Sequence, residues 1–217
     1  IICTPKGGGF GHGHGKITYD FYFTCELSQK PLKMQFFANE EFQSENLKEF
    51  SHEDAGLILD FGNSVTEPII LKCGISYTSL DGARKNLNAE IKDFDFDAQR
   101  KRALDLWESA FAMVDVEGSD EIDLKLFYTC LYHVLLDPRI AADTDGRFTI
   151  ANDIFEAEYT HRTVFSGWDV YRSEFPLLSI IRPDMVRDEI NSLLKIAEIN
   201  NSSFPRWELM GINAGCM

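Results

Sequence analysis

The first part of the chain alternates apolar and polar residues, a pattern that is typical of half-buried β-strands. Residues 17–27 follow this alternation, and residues 69–77 repeat it. Shorter candidate strands lie at residues 34–37 and 57–61. Polar turns separate these segments and no helical period lies between them, so the pattern predicts an antiparallel β-sandwich.

The second part of the chain has a helical period instead. Residues 103–114 place apolar side chains at i, i+3 and i+4, which predicts an amphipathic helix. A second helix is predicted to be capped by Ser119 and to stop at Pro138, and a third covers residues 184–199. The predicted buried face of the second helix consists of Phe127, Leu131, Val134 and Leu135.

These periods divide the chain into three regions. Residues 1–94 are predicted to be all-β, residues 95–118 a helical connector, and residues 119–217 the opening of an all-α domain. The chain starts at Ile1 without a Met and stops at Met217. We therefore expect it to be a piece of a longer protein.

Charge excludes two classes of partner. The chain has 21 Lys plus Arg against 35 Asp plus Glu, a formal charge of −14. This balance opposes binding to nucleic acid or to an anionic membrane surface, because both present negative charges. No apolar run approaches the ~18 residues that a membrane-spanning helix needs.

Two motifs suggest a metal site without completing one. His12 and His14 lie in a glycine-rich stretch, but the sequence offers no third ligand beside them. Asp143, Asp145 and Gly146 resemble the start of a calcium loop, yet residue 152 is Asn where the loop needs Glu. A polar turn is the preferred interpretation, and no CxxC pair indicates zinc. The sequence therefore predicts no metal ligands within this chain.

Two aromatic clusters are the candidates for carbohydrate binding. Residues 165–176 are predicted to form one helical stretch on which Asp169 and Arg172 lie at i, i+3 beside Trp168. An indole can stack on the C–H bonds of a sugar, while a carboxylate and a guanidinium bind hydroxyls. The alternative is a surface ion pair beside a core tryptophan. Trp207 and Glu208 form the second cluster.

Several segments that run in order along the chain form a specific combination: Cys73-Gly74-Ile75-Ser76-Tyr77, Ala83-Arg84-Lys85-Asn86-Leu87, the Trp107 helix with Val116-Glu117-Gly118, Phe127-Tyr128-Thr129-Cys130-Leu131-Tyr132-His133, Asp143-Thr144-Asp145-Gly146-Arg147, Trp168-Asp169 and Trp207-Glu208. Together they resemble glycoside hydrolase family 92, the calcium-dependent exo-acting α-mannosidases. The resemblance runs from about Tyr19 onward.

The resemblance implies a fold and an activity. Residues 1–94 would be the latter part of an N-terminal β-sandwich, 95–118 a helical linker, and 119–217 the first helices of a truncated (α/α)6 catalytic barrel. The implied activity is inverting, exo-acting α-mannosidase hydrolysis, of α-1,2 or related type, that releases mannose from N-glycans or mannans. The implied partners are mannose-containing oligosaccharides or glycoprotein glycans, and the implied location is secreted or periplasmic.

The resemblance assigns site residues unevenly. Trp168, Asp169 and Arg172 match positions that hold the terminal mannose, and Trp207 with Glu208 would line the same pocket. Asn213 stands where many members carry the general-acid Glu, and an amide has no titrating proton. The general base and the ligands of the implied Ca²⁺ are expected beyond Met217, so this piece alone is expected to be inactive.

The Asn at position 213 leaves several functions open. Glu208 could replace the general acid, or the enzyme could cleave a mannosyl phosphodiester, whose leaving group needs no protonation. A non-catalytic carbohydrate-binding relative is a further alternative. A structural protein with a sandwich and helices but no sugar site is the remaining one.

Overall fold

The computed structural model describes residues 2–3, 19–45, 47–63, 66–118 and 120–213. In chain order the elements are β1 (Ile2–Cys3), β2 (Phe21–Leu27), β3 (Lys33–Ala38), β4 (Glu41–Phe42), β5 (Gly56–Asp60), β6 (Leu71–Ser76), α1 (Leu80–Glu90), α2 (Phe96–Phe111), α3 (Glu121–Val134), β7 (Arg139–Ile140), β8 (Arg147–Ile150), β9 (Asp153–Glu156), β10 (Arg162–Thr163), β11 (Phe165–Ser166), α4 (Gly167–Val170), α5 (Glu174–Ile181), α6 (Pro183–Ile199), β12 (Trp207–Leu209) and β13 (Ile212–Asn213).

The chain folds as two compact units. One is Cys25–Lys72, and the other combines Ile1–Thr24 with Cys73–Met217. The smaller unit contains a three-stranded sheet in the order β4-β3-β5, with antiparallel pairing on both sides of β3. This sheet confirms the strands predicted at residues 34–37 and 57–61.

β6 confirms the alternation predicted for residues 69–77 but presents the opposite face to the protein. Gly74 and Ser76 are buried, whereas Leu71 and Ile75 are about half exposed. α1 causes this inversion, because a Cβ on Gly74 would overlap the backbone and side chain of Leu87 in that helix. Only a glycine lets the helix approach the strand so closely.

α1 lies in the region where the sequence predicted only strands. The Ser79 hydroxyl caps it by accepting a hydrogen bond from the Gly82 N–H at 2.9 Å. Ala83 and Leu87, four residues apart, are its buried apolar residues. Two apolar contacts at helical spacing were too short a pattern to separate from the surrounding strand signal.

The longer helices match their predictions with one correction. α6 begins at Pro183 and ends at Ile199, and α3 buries Leu131 while the rest of its predicted face is half-buried. The N-cap of α3 is Asp120, whose side chain accepts from the Ile122 N–H. Ser119, the predicted cap, lies outside the described residues.

α2 confirms the helix predicted at residues 103–114, although it begins at Phe96 and ends at Phe111, and it packs loosely. None of its residues is fully buried, and two pairs of aromatic rings connect it to α3. The Trp107 ring lies 4.7 Å from the Tyr132 ring, and Phe111 lies 5.9 Å from Tyr128. Leu104 and Leu106 remain exposed, so α2 leaves much of its apolar surface uncovered in these 217 residues.

The sequence predicted an all-α region after residue 119, and this prediction was wrong. After α3 the structure alternates short strands with helices. β8 and β9 form a hairpin whose two loop residues, Ala151 and Asn152, both have positive φ. This is the two-residue hairpin geometry that suits the strand twist. Phe148 and Ile150 from β8 pack with Ile196 of α6 to form the core.

Every strand pair whose register the structure describes is antiparallel. The architecture is therefore a set of small antiparallel sheets followed by helices and hairpins. Within the described ranges, no helix has both the length and the apolar composition needed to cross a bilayer.

Asp143 connects the β6–α1 region to the turn before β8. Its side chain is buried and receives hydrogen bonds from Ser76 Oγ at 2.8 Å, Asn86 Nδ2 at 2.8 Å and Thr78 Oγ1. A buried carboxylate is stable only when donors replace its water. The network therefore fixes these segments to one another.

Replacing Asp143 with Ala removes the buried acceptor that these three donors share and leaves them only the Asn86–Ile75 and Ser76–Thr78 hydrogen bonds. We expect this variant to lose about 2–4 kcal/mol in free energy of unfolding. Asp145→Ala is the matched control, because Asp145 pairs at the surface with Lys85 and Arg147. The control should lose less than about 1 kcal/mol. Urea unfolding of both variants measures the difference, and equal losses would contradict the role of Asp143.

Candidate functional site

A three-stranded sheet, in the order β11-β12-β13, brings the two predicted aromatic clusters together. Ser166 pairs with Trp207, and Glu208 pairs with Phe165 on one side and Asn213 on the other. α4 follows β11 directly, so Trp168 and Asp169 lie beside this sheet. Segments about 40 residues apart in sequence thus meet at one place.

Glu208 lies at the centre of this sheet and is 2% exposed. The Thr163 hydroxyl lies 2.9 Å from both carboxylate oxygens, and the Val164 N–H donates to Oε2 at 2.6 Å. The Gly211 N–H donates to Oε1. Burial raises the pKa of Glu208 to about 7, while these donors act in the opposite direction.

The backbone on both sides of Glu208 is strained. Val164 has φ +64° and Met210 has φ +52°, the left-handed region that a β-branched residue rarely adopts. Gly211 follows at φ +77°, where a Cβ would lie 2.5 Å from Ile150 Cγ2. Two of the donors to Glu208, the N–H groups of Val164 and Gly211, therefore come from these unusual bends.

The segment from residue 165 to 176 is not a single helix, in contrast to the prediction. It forms β11, the one-turn helix α4, a turn, and then the first residues of α5. Trp168 is 51% exposed, and Asp169 is exposed as well. Both side chains are accessible to a ligand in this structure.

Asp169 and Arg172, both described in the structure, do not form the predicted ion pair. Arg172 Nε instead donates to the Tyr171 hydroxyl at 2.9 Å, and its guanidinium lies 5.4 Å from the Tyr171 ring centre. The break in the helix after Val170 removes the i, i+3 geometry on which the prediction depended. Arg172 is exposed and lies one turn away from α4.

Asn213 lies on β13, across the hairpin from Glu208. Its side-chain Oδ1 accepts from the Trp207 N–H at 3.4 Å. Both Asn213 and Trp207 are half-buried. Glu208 is enclosed, with its oxygens already occupied by donors, whereas Asn213 has no titrating proton.

Four charged or titratable residues near this sheet, three of them buried and one half-buried, had no sequence signal. His161 stacks on Phe148 with ring centres 4.0 Å apart, and neither ring nitrogen has a partner among the described residues. Burial lowers the pKa of His161 to about 4. Arg162 is buried with one nitrogen donating to the Pro138 carbonyl at 3.0 Å. Their burial depends on contacts between distant segments, which no local pattern encodes.

Glu189 of α6 and Glu174 of α5 are the other two. Glu189 is 1% exposed, and its Oε1 has no hydrogen-bond partner among the described residues. Burial raises the pKa of Glu189 to about 8, and the nearby charge of Glu174 adds to this shift while Arg162 opposes it. Burial also raises the pKa of Glu174.

The turn that resembles a calcium loop has no free carboxylate to offer a calcium ion. Asp143 is saturated by hydroxyl and amide donors, and Asp145 by the cations of Lys85 and Arg147. Gly146 closes a turn by donating to the Asp143 carbonyl at 2.9 Å, which confirms the polar-turn interpretation. No group of three His, Cys, Asp or Glu side chains in the described ranges is placed to hold a metal. His12 and His14 lie outside those ranges.

Comparison with known proteins identifies relatives of this chain. Residues 82–217 match the model of the glycosyl hydrolase family 92 catalytic domain. The whole chain is similar to the family GH92 alpha-mannosidase BT3965 from Bacteroides thetaiotaomicron, with a TM-score of 0.83 and 28% sequence identity. The complex of that enzyme with mannoimidazole gives a TM-score of 0.82, 27% identity and 100% coverage of this chain.

A more distant likeness concerns the fold alone. The family GH92 inverting mannosidase BT2199 from Bacteroides thetaiotaomicron VPI-5482 is 22% identical, with a TM-score of 0.73 over 87% of this chain and 26% of that one. The chain spans only 29% of the length of BT3965, or 28% in its mannoimidazole complex. No curated protein sequence matches the chain.

The buried carboxyl of Glu189 should make the fold less stable as pH rises. Because its folded pKa, about 8, exceeds the ordinary value of 4.5, the native state holds a proton that the unfolded state has lost. This stability is complete below pH 4.5 and disappears as pH passes through 8. Between pH 7 and 9, where His161 is mostly neutral in both states, we expect Glu189 to cause a loss of about 1–2 kcal/mol. Glu208, whose pKa is about 7, adds a smaller loss over the same range.

Glu189→Gln should remove most of this loss, since an amide does not titrate. Glu198→Gln is the control, because Glu198 is exposed on the same helix and pairs only with Lys195. Urea unfolding at pH 7, 8 and 9 measures the slope for each variant. An unchanged slope in Glu189→Gln would show that another group is responsible.

Proposed function

Because the chain belongs to glycoside hydrolase family 92, we propose that it forms part of an α-mannosidase whose terminal-mannose site includes Trp168 and Asp169. The observation that carries this proposal is the β11-β12-β13 sheet, in which α4, with its exposed indole and exposed carboxylate, lies beside β11 and β12. The indole can stack on the sugar ring, while Asp169 accepts hydrogen bonds from its hydroxyls.

The finer proposal is an exo-acting, inverting enzyme that releases mannose from N-glycans or mannans. Inversion requires two groups on opposite faces of the sugar, one that protonates the leaving oxygen and one that activates water. We propose that the general base and the calcium ligands lie outside these 217 residues, in the remainder of an (α/α)6 barrel. The proposed location is secreted or periplasmic.

Asn213 favours a second candidate within the same site. An inverting hydrolase of ordinary mannosides needs a proton donor, and neither Asn213 nor the enclosed Glu208 offers an accessible titrating proton. A phosphate leaving group needs no protonation when it departs. Cleavage of a mannosyl phosphodiester is therefore the alternative, and a non-catalytic mannose-binding protein is the third outcome.

The first test measures mannose release by the complete gene product, with calcium and with a chelator. An α-linked mannobiose and a mannosyl phosphodiester serve as parallel substrates. We expect chelator-sensitive release of mannose. Release from mannobiose would show that a proton donor exists, and release from the phosphodiester alone would favour the second candidate. No release from either would contradict the enzyme and leave the binding protein.

Asp169→Ala tests the proposed mannose contact. We expect kcat/KM to fall at least about tenfold, because a carboxylate that accepts hydrogen bonds from substrate hydroxyls contributes about 1.5–3 kcal/mol. Asp153→Ala is the matched control, since Asp153 is an exposed carboxylate on β9, a strand of a different sheet. Equal activity in both variants would place the mannose elsewhere.

A further inference from the structure

Glu208 is the one buried carboxylate that contacts both bends of the β11-β12-β13 region. Its neighbours in register are Phe165, two residues before α4, and Asn213 on β13. Its hydrogen bonds reach Thr163 and Val164 before β11, and Gly211 in the turn between β12 and β13. One side chain therefore connects the segments that lead to Trp168 and to Asn213.

We propose that Glu208 is a positioning residue, which holds the Trp168–Asp169 end of α4 and the Asn213 strand at a fixed separation around the terminal mannose. This role rests on the proposed function, because it assumes that mannose occupies that place. Glu208 itself does not exchange a proton with the substrate.

The contacts of Glu208 favour this role over that of a proton donor. Each carboxylate oxygen already receives a backbone N–H, and both share the Thr163 hydroxyl. The Thr163 oxygen in turn accepts from the Met210 N–H at 2.9 Å. A group that is 2% exposed and surrounded by donors cannot approach a leaving oxygen without breaking this network.

The strained bends explain why a carboxylate is required. Val164 and Met210 are held at positive φ, each at a cost of about 1–3 kcal/mol. The N–H groups of Val164 and Gly211 point at Glu208 only while these bends persist. Without acceptor oxygens on both sides of the residue 208 side chain the bends would relax, and the positions of Trp168 and Asn213 would change with them.

Glu208→Gln in the complete gene product tests this proposal. The amide keeps the volume of the side chain but turns an NH₂ group toward backbone donors. We expect kcat/KM per folded molecule to fall at least tenfold, and by the same factor for a mannobiose and for an activated aryl α-mannoside. Mannose affinity, measured by calorimetry on the folded fraction, should weaken in parallel. Glu198→Gln should match the wild type.

The leaving-group comparison separates the two roles of Glu208. Loss of a general acid would slow mannobiose cleavage while sparing the aryl mannoside, whose leaving group needs no proton, and that result would overturn the proposal. Unchanged kinetics and mannose affinity would overturn it as well. Thr163→Val removes one donor and should reproduce a milder form of the same leaving-group-independent loss.

Failure of the proposed function gives a different result. A wild-type protein that releases mannose from no substrate would overturn the α-mannosidase and the positioning role together. An active wild type with a leaving-group-dependent loss in Glu208→Gln would overturn only the role of Glu208. If Glu208→Gln does not fold, Thr163→Val decides between these outcomes, because its isosteric change leaves the carboxylate and both N–H donors in place.

Discussion

A carboxylate that leaves water has to receive donors from the protein, and this requirement organises the part of the chain around the candidate site. Asp143 meets it with the hydroxyls of Ser76 and Thr78 and the amide of Asn86. Glu208 meets it with one hydroxyl and two backbone N–H groups. In both cases residues far apart in sequence are brought to one acceptor, so the polar contacts determine where the segments lie.

The buried titratable side chains differ in what compensates for their loss of water. Glu208 is surrounded by donors, while Glu189 has an oxygen without a described partner and depends on its proton to remain buried. Burial also keeps His161 neutral, in this case without a second ring proton, and its ring stacks on the Phe148 ring. The buried side chains of Glu189 and His161 are thus uncharged at moderate pH, whereas Trp168 and Asp169 are exposed to solvent.

The sequence predicted the long periodic elements and the family but not the local geometry of the site. α3 and α6 were found because their apolar residues repeat over several turns. The inverted face of β6 was not, since it depends on how closely α1 approaches Gly74. The strands after α3 have two to four residues, which is too short for an alternating pattern to be recognised in the sequence.

The site itself was predicted as a set of residue types rather than as an arrangement. Trp168, Asp169, Trp207 and Glu208 do lie around one sheet, but the spacing of Asp169 and Arg172 suggested a contact that the end of α4 prevents. The donors to Glu208 come from backbone bends, which leave no trace in side-chain patterns. The absence of any buried residue in α2 has a separate consequence for local stability. Helices with few buried contacts open without global unfolding, so amide hydrogens in α2 are expected to exchange with solvent sooner than those in α6.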